Sequence, residues 1–294
     1  MFKEVISEIF STLNDINVHY LIERNYENLP YKVDNDIDLL LIETDLNVIK
    51  SVIDKILIRY EYIKVLDGNS LGTNKLIYIN KNFNEDIIRF DLNYMFHYKG
   101  ISYLNVDKII KNRIKVKEFY IPSKQDEMIM SLFTNYINNG YIKEKYREDI
   151  KNNIISLYSY GELYFKNDLL NELLNYISSD KWSESENLCV RIRSNIIKCN
   201  LFTSNNRVKD YIKMLFNRIV NKKSNLILLD SIDDYALLEK KLKEKGMKAI
   251  ELKNINPVKV VLYKMSNSYL FFSLNHKNKS GFSKIIELKC KDNL

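Results

Sequence analysis

Three aspartates have the types and spacing to do chemistry. Asp36 and Asp38 lie in Asp34-Asn35-Asp36-Ile37-Asp38-Leu39-Leu40-Leu41, and Asp91 lies in Arg89-Phe90-Asp91-Leu92. Side chains on a strand alternate faces, so Asp36 and Asp38 point the same way, about 6–7 Å apart along the chain. The apolar residues around them bury the other face. Neighbouring carboxylates repel and raise their own proton affinity unless a cation neutralises them. A hard divalent ion, Mg²⁺ above all, is the natural partner for an oxygen-only site. Asp91, on a neighbouring strand, is the best-placed third ligand. Two such ions about 4 Å apart activate an attacking hydroxyl and stabilise a leaving pyrophosphate. Asp34 and Asp86 are spare carboxylates that could replace a member of the trio. The bland alternative is a D-x-D turn into an edge strand, with Asp38 solvated.

These carboxylates need rigid elements to hold them. Residues 3–15 place Val5, Ile6, Ile9, Phe10 and Leu13 at helical spacing. A short strand at 18–22 and a polar loop at 23–35 lead into a strong strand at 37–42. Residues 45–59 return to the helical period, with Asp45 as N-cap. Strands are expected at 61–66, 75–79 and 87–92, with a turn at Asp67-Gly68-Asn69. After Pro122, residues 124–139 and 141–178 are helical by period, and residues 221–223 read as a linker. Strands at 225–230, 249–252, 259–263, 269–274 and 285–288, with a helix at 234–245 ending at Gly246, complete the pattern. The fold class is therefore α/β (α+β): a small mixed sheet with flanking helices at 1–120, a helical region at 121–221, and a smaller α/β unit at 222–294.

The chain has 294 residues and is 46% hydrophobic, enough to bury a core, and its few Gly (7) and Pro (3) favour helix and short loops. Cys189, Cys199 and Cys290 have no metal-ligand spacing and read as incidental thiols of a reducing cytoplasm. The charged start Met1-Phe2-Lys3-Glu4 is unlike a signal peptide, and no run of about 18 apolar residues occurs. A cytoplasmic protein with no membrane insertion is expected. Residues 1–150 carry 20 Lys/Arg against 23 Asp/Glu, and the remainder 25 against 15. An acidic half that holds metal beside a basic half that meets an anion fits that asymmetry, although solvated Lys-rich helices give the same count.

The order helix, strand, loop, D-x-D strand, helix, Asp-bearing strand resembles the polymerase-β-like nucleotidyltransferase superfamily. The closer resemblance is to uncharacterised bacterial nucleotidyltransferases of polysaccharide-type gene neighbourhoods, some fused to a thymidylate-kinase-like domain. It covers roughly residues 1–180 and rests on three patches. Arg24-Asn25-Tyr26-Glu27-Asn28-Leu29-Pro30 precedes Asp36-Ile37-Asp38-Leu39-Leu40. Arg89-Phe90-Asp91-Leu92 leads to Lys99-Gly100-Ile101-Ser102-Tyr103-Leu104. Phe119-Tyr120-Ile121-Pro122-Ser123 opens a helix near Gln125-Asp126-Glu127. The resemblance implies that Asp36 and Asp38 bind metal, that Asp91 is the third ligand or general base, and that Arg24, Asn25 and Lys32 hold triphosphate. The superfamily usually places a Gly-Ser pair before the D-x-D strand. Glu23-Arg24-Asn25 stands there instead, so charge from Arg24 or Lys32 must replace backbone contacts to phosphate.

The function implied is Mg²⁺-dependent transfer of a nucleotidyl group from a nucleoside triphosphate to a hydroxyl or phosphate of a small molecule or glycan, with two ions at the site. The alternatives are transfer to tRNA or protein, as in toxin-like relatives, and a nucleotidyltransferase-fold binding module without turnover; a nucleic-acid partner is the less favoured. The C-terminal unit lacks G-x-x-x-x-G-K-[ST] after Asn225-Leu226-Ile227-Leu228-Leu229-Asp230-Ser231, so no nucleotide is expected there. His19 reads as a satisfied buried histidine, His97 as a loop residue able to line an acceptor pocket, and Trp182 as a helix boundary packed on the core. Lys143, Lys145 and Arg147, with Tyr141 and Tyr146, form a basic helical stripe whose default is a solvated face.

Overall fold

The computed structural model describes residues 1–33, 35–81, 87–153, 167–201, 225–229, 232–244, 248–251, 269–273 and 284–288. The D-x-D strand, β2 (Ile37–Leu41), sits inside a five-stranded sheet with β1 (Tyr20–Ile22), β3 (Tyr62–Ser70), β4 (Thr73–Asn80) and β5 (Ile88–Asn93), in the order β1-β2-β5-β4-β3. Only β2 and β5 run parallel; the other neighbours are antiparallel. That parallel pair requires a long crossover, which α2 (Leu46–Arg59) and the β3–β4 hairpin supply.

Every residue of β2 is buried because helices cover both faces. On one face α1 (Phe2–Asp15) brings Val5, Ile6, Ile9, Phe10 and Leu13, and α2 brings Ile49, Ile53 and Leu57. They meet Ile37, Leu39, Leu76, Phe90 and Leu92 of the sheet. On the other face Leu21 and Leu40 join a second core. It is built with α3 (Val106–Lys111), α4 (Lys124–Phe133), α6 (Asn167–Ser178) and α7 (Trp182–Leu201). Helices of the 121–221 region thus share a core with the amino-terminal sheet. Leaving Leu40 on that face and the aspartates further along it is what period 2 dictates.

The hairpin differs from expectation. β3 continues through Asp67-Gly68-Asn69, and the turn falls at Leu71-Gly72. Gly72 has φ +72°, and a Cβ there would lie 2.8 Å from the Met95 carbonyl oxygen. A bulge between Lys64 and Leu66 shifts the side-chain parity, so Lys64 and Asp67 face the same way. Both then bind across the α2 face, Lys64 Nζ to Asp54 (2.7 Å) and Lys50 Nζ to Asp67 (2.8 Å). A bulge cannot be read from alternation, which is why the sequence alone puts the turn at Asp67-Gly68-Asn69.

Further corrections concern helix ends. Asp45 does stand at the N-cap of α2, but a 3₁₀ turn, Glu43–Asp45, precedes it and its side chain caps nothing. The carboxylate instead accepts hydrogen bonds from the His19 backbone N–H (2.8 Å) and contacts His19 Nδ1 (3.1 Å). His19 is therefore satisfied but exposed, outside β1. α4 runs on through a π-helical turn, Thr134–Asn139, to Gly140 at φ +86°. The expected helix at 141–178 is divided: α5 spans Glu144–Asn152 and α6 begins at Asn167, with 154–166 outside the described residues. Trp182 opens α7 against the core, with Arg147 over its ring at 5.2 Å. Two short hairpins were not expected: β6 (His97–Tyr98) with β7 (Ile101–Ser102), and β8 (Ile114–Val116) with β9 (Phe119–Ile121).

In the C-terminal unit, β10 (Asn225–Leu229), β11 (Lys248–Glu251), β12 (Tyr269–Ser273) and β13 (Lys284–Leu288) form an all-parallel sheet ordered β11-β12-β10-β13. Helix α8 (Ile232–Glu244) links β10 to β11. The strand expected at 259–263, the linker 221–223, Gly246, and the side chains of Lys145, Cys199 and Cys290 lie outside the described residues, as do Asp34 and Asp86. Among the described residues no helix is long and apolar enough to cross a membrane.

Candidate metal centre

Strand register assembles the site. Asp38 on β2 pairs with Asp91 on β5, and Asp91 pairs with Lys75 on β4. Glu23, one residue past β1, donates its backbone N–H to the Asp38 carbonyl oxygen (2.9 Å). Paired residues share a face, so Glu23, Asp38, Asp91 and Lys75 form one row across four strands. One step along the same face, Asp36 stands level with Arg89; one step the other way come Leu40, Asn93 and Thr73.

Asp36, Asp38 and Asp91 each offer an oxygen, and the three oxygens lie within 4.8 Å of one another. Their side chains are 19%, 3% and 12% exposed, so water screens their repulsion poorly, Asp38's least of all. Each carboxylate has a cationic partner: Arg24 Nε to Asp38 at 2.6 Å, Lys75 Nζ to Asp91 at 2.7 Å, and Arg89 Nη2 to Asp36 at 3.4 Å. Burial raises the Asp38 pKa; Arg24 opposes that, and Asp36 and Asp91 add to it. The half-buried Glu23 is pushed up to about 8, first by desolvation and then by Asp38, although Asn93 Nδ2 donates to it at 2.7 Å. Thr73 Oγ1 donates to Asn93 Oδ1 (2.7 Å), which fixes the amide so that its NH₂ faces Glu23.

The donor set fits a hard divalent cation. It is made only of oxygens, converges within ligand spacing, and includes a carboxylate too buried to stay ionised without a partner. The expected trio is thus brought together. Arg24, expected to hold phosphate, reaches the trio as the partner of Asp38. Asn25 (φ +57°) and Lys32 lie exposed on the same loop. That loop is tied down by Tyr26, whose hydroxyl donates to Glu127 Oε1 (3.2 Å), and by buried Leu29. Glu23, Lys75, Arg89 and Asn93 were missed as members of the site. Their signal was strand parity: Lys75 and Asp91 occupy like-facing positions once β4 and β5 are paired.

His97 is tied into the loops beside the sheet. Its Nε2 lies 2.8 Å from the Leu71 carbonyl oxygen, and its Nδ1 accepts from the Gly100 N–H at 3.3 Å. Those two contacts hold the β3–β4 turn to the β6–β7 hairpin. In the basic stripe, Arg147 is engaged with Trp182 and, through Nε, with the Ile142 carbonyl oxygen at 3.2 Å.

No protein-family model matches this chain, and no solved structure matches it. Among curated proteins, Endonuclease MutS2 of Borreliella burgdorferi (strain ATCC 35210 / DSM 4680 / CIP 102532 / B31) is 28% identical over 179 residues, covering 58% of this chain. The chain spans 18% of that relative's length, a likeness too small and too partial to place it in a family.

Proposed function

We propose that the amino-terminal unit is a divalent-metal-dependent nucleotidyltransferase of the polymerase-β-like kind. It transfers a nucleotidyl group from a nucleoside triphosphate to a hydroxyl or phosphate of a small molecule or glycan. The observation that carries this reading is the convergence of Asp36, Asp38 and Asp91 within 4.8 Å on one face of a sheet whose D-x-D strand runs parallel to the third aspartate's strand. Mg²⁺ held there would supply positive charge to the attacking oxygen and to the α-phosphate.

The protein's own groups do the rest. Asp38, walled in by the sheet, fixes the centre, and Asp36 and Asp91 set its two flanks. Lys75 and Arg89 hold those flanking carboxylates in place. Arg24, the most exposed of the three cations at 53%, is the residue suited to meet triphosphate oxygens. The acceptor oxygen gives up its proton to a carboxylate at the site and bonds to the α-phosphorus. The bond to the β-phosphate oxygen breaks, and pyrophosphate leaves.

The test is calorimetric titration of each nucleoside triphosphate with Mg²⁺, followed by a pyrophosphate-release assay with candidate acceptors. Binding of at least one nucleotide, lost in Asp36→Asn, supports the reading. Absence of binding by all of them at millimolar concentration overturns it.

A further inference from the structure

We infer that Arg24 is a resident cation of the metal centre, exchanged for the divalent ion. In the metal-free protein it neutralises Asp38; when that carboxylate is taken by metal, Arg24 is released and turns to the phosphates. The inference rests on the metal-site reading above and adds to it a coupling between metal and anion that runs through one side chain.

Three contrasts single out Arg24. Its partner is the deepest of the carboxylates, 3% exposed against 12% for Asp91 and 19% for Asp36. A carboxylate this deeply buried stays ionised only beside a counter-charge, and Arg24 supplies one before metal arrives. Arg24 itself is the most accessible cation, 53% exposed against 31% for Lys75 and 16% for Arg89. It also extends from the loop after β1, whereas the other two rise from strands β4 and β5 and are held in cross-strand register with the site.

The bonding geometry agrees. Arg24 binds Asp38 through Nε alone, at 2.6 Å, rather than by the two-pronged pairing that a guanidinium forms with a carboxylate at its strongest. Among the described residues its two terminal nitrogens have no hydrogen-bond partner. A single Nε bond is all that release from Asp38 must break. The chain is anchored on either side, by the Glu23 N–H to Asp38 bond before it and by the Tyr26 side chain on Glu127 after it. Exchange thus needs rotation of one side chain and no movement of the loop. With the Gly-Ser pair absent, this transfer provides the anion hold only when metal is in place, and reciprocity requires each ligand to favour the other.

Two measurements on the full chain test it. In ¹⁵N-arginine-labelled protein, the Nε–H resonance that vanishes in Arg24→Gln identifies the residue. Saturating Mg²⁺ should shift that resonance and speed its exchange with water. Inorganic tripolyphosphate added next should order it again, and without Mg²⁺ should leave it unchanged. In calorimetric titrations with Mn²⁺ alone, Arg24→Gln should bind about tenfold more tightly than the wild type, because the competitor is gone. An Arg24 resonance unmoved by saturating Mg²⁺, or a variant that binds Mn²⁺ no more tightly, overturns the exchange while leaving the metal site standing. Absence of Mn²⁺ binding to both proteins overturns the exchange and the metal-site reading together.

Discussion

Lys75→Met probes the balance of charge at the centre more sharply than removal of an aspartate. Methionine has nearly the volume of lysine and keeps the packing, so the change is the loss of one positive charge 2.7 Å from Asp91. At an effective dielectric of about 20, a pair at that distance attracts by about 6 kcal/mol, and each carboxylate pair at the 4.8 Å limit repels by about 3.5 kcal/mol. Lys75 is 31% exposed, so solvent screening and its own desolvation remove most of that attraction. The expected loss lies between that of a surface pair and that of a broken buried pair, about 2 kcal/mol. In a chain of 294 residues that is about 3 °C of melting temperature. The assay is thermal unfolding followed by circular dichroism at low salt and pH 7, with and without 10 mM Mg²⁺, an order-of-magnitude excess over a weak site. Mg²⁺ should recover much of the difference, because it neutralises the same carboxylates. Equal melting temperatures at neutral pH, or a gap that widens on adding Mg²⁺, would refute the view that Lys75 balances the trio.

Three other outcomes are expected. Asp38→Asn should reduce nucleotide-dependent pyrophosphate release by about 10²-fold or more while the circular dichroism spectrum is kept; unchanged turnover would remove Asp38 from the centre. Asp67 is raised by burial but lowered more by Lys50 and Lys64, and its net shift is below the ordinary 3.8. Its folded form therefore favours the carboxylate, contributing stability that is complete above pH 3.8 and lost as pH falls through the lower folded value. Asp67→Asn should accordingly flatten the acid limb of a stability–pH profile, and an identical limb would count against it. Ser123 caps α4, accepting from the Asp126 N–H at 3.1 Å and donating to Asp126 Oδ2 at 2.5 Å. Ser123→Ala should cost about 1–2 kcal/mol in urea unfolding, since the fully buried Asp126 also loses a donor; a cost near zero would mean another group takes over.

The polar network on the α2 face limits how the site can move. Tyr78, fully buried, donates to Asp54 Oδ1 at 2.5 Å, and Asp54 also receives Lys64. Lys64 and Lys50 meet again on Asp67. These bonds join α2, β3 and β4 behind the strand that carries Lys75. The backbone beneath the carboxylates is thereby held, while Arg24 reaches in from a loop.

The amino-acid sequence by itself determined the Asp36–Asp38 pair and offered Asp91 as its third member. Period-2 alternation puts Asp36 and Asp38 on one face of β2, and apolar runs on both 37–42 and 87–92 leave those two strands few places other than the middle of a sheet. It also determined the covering helices, since the 3.6-residue spacing in α1 and α2 needs no knowledge of partners. What it could not supply was register. That Lys75 rather than Ile77 stands beside Asp91, and that Glu23 stands beside Asp38, follows from which residues pair across strands far apart in the chain. A slip of one residue would have turned each of them to the opposite face. The bulge at Lys64, the turn at Gly72, and the capture of Arg24 by Asp38 likewise depend on contacts made only when the sheet closes. Local periodicity is written along the chain, whereas the charge partners of a buried carboxylate are chosen by the strands that come to lie beside it.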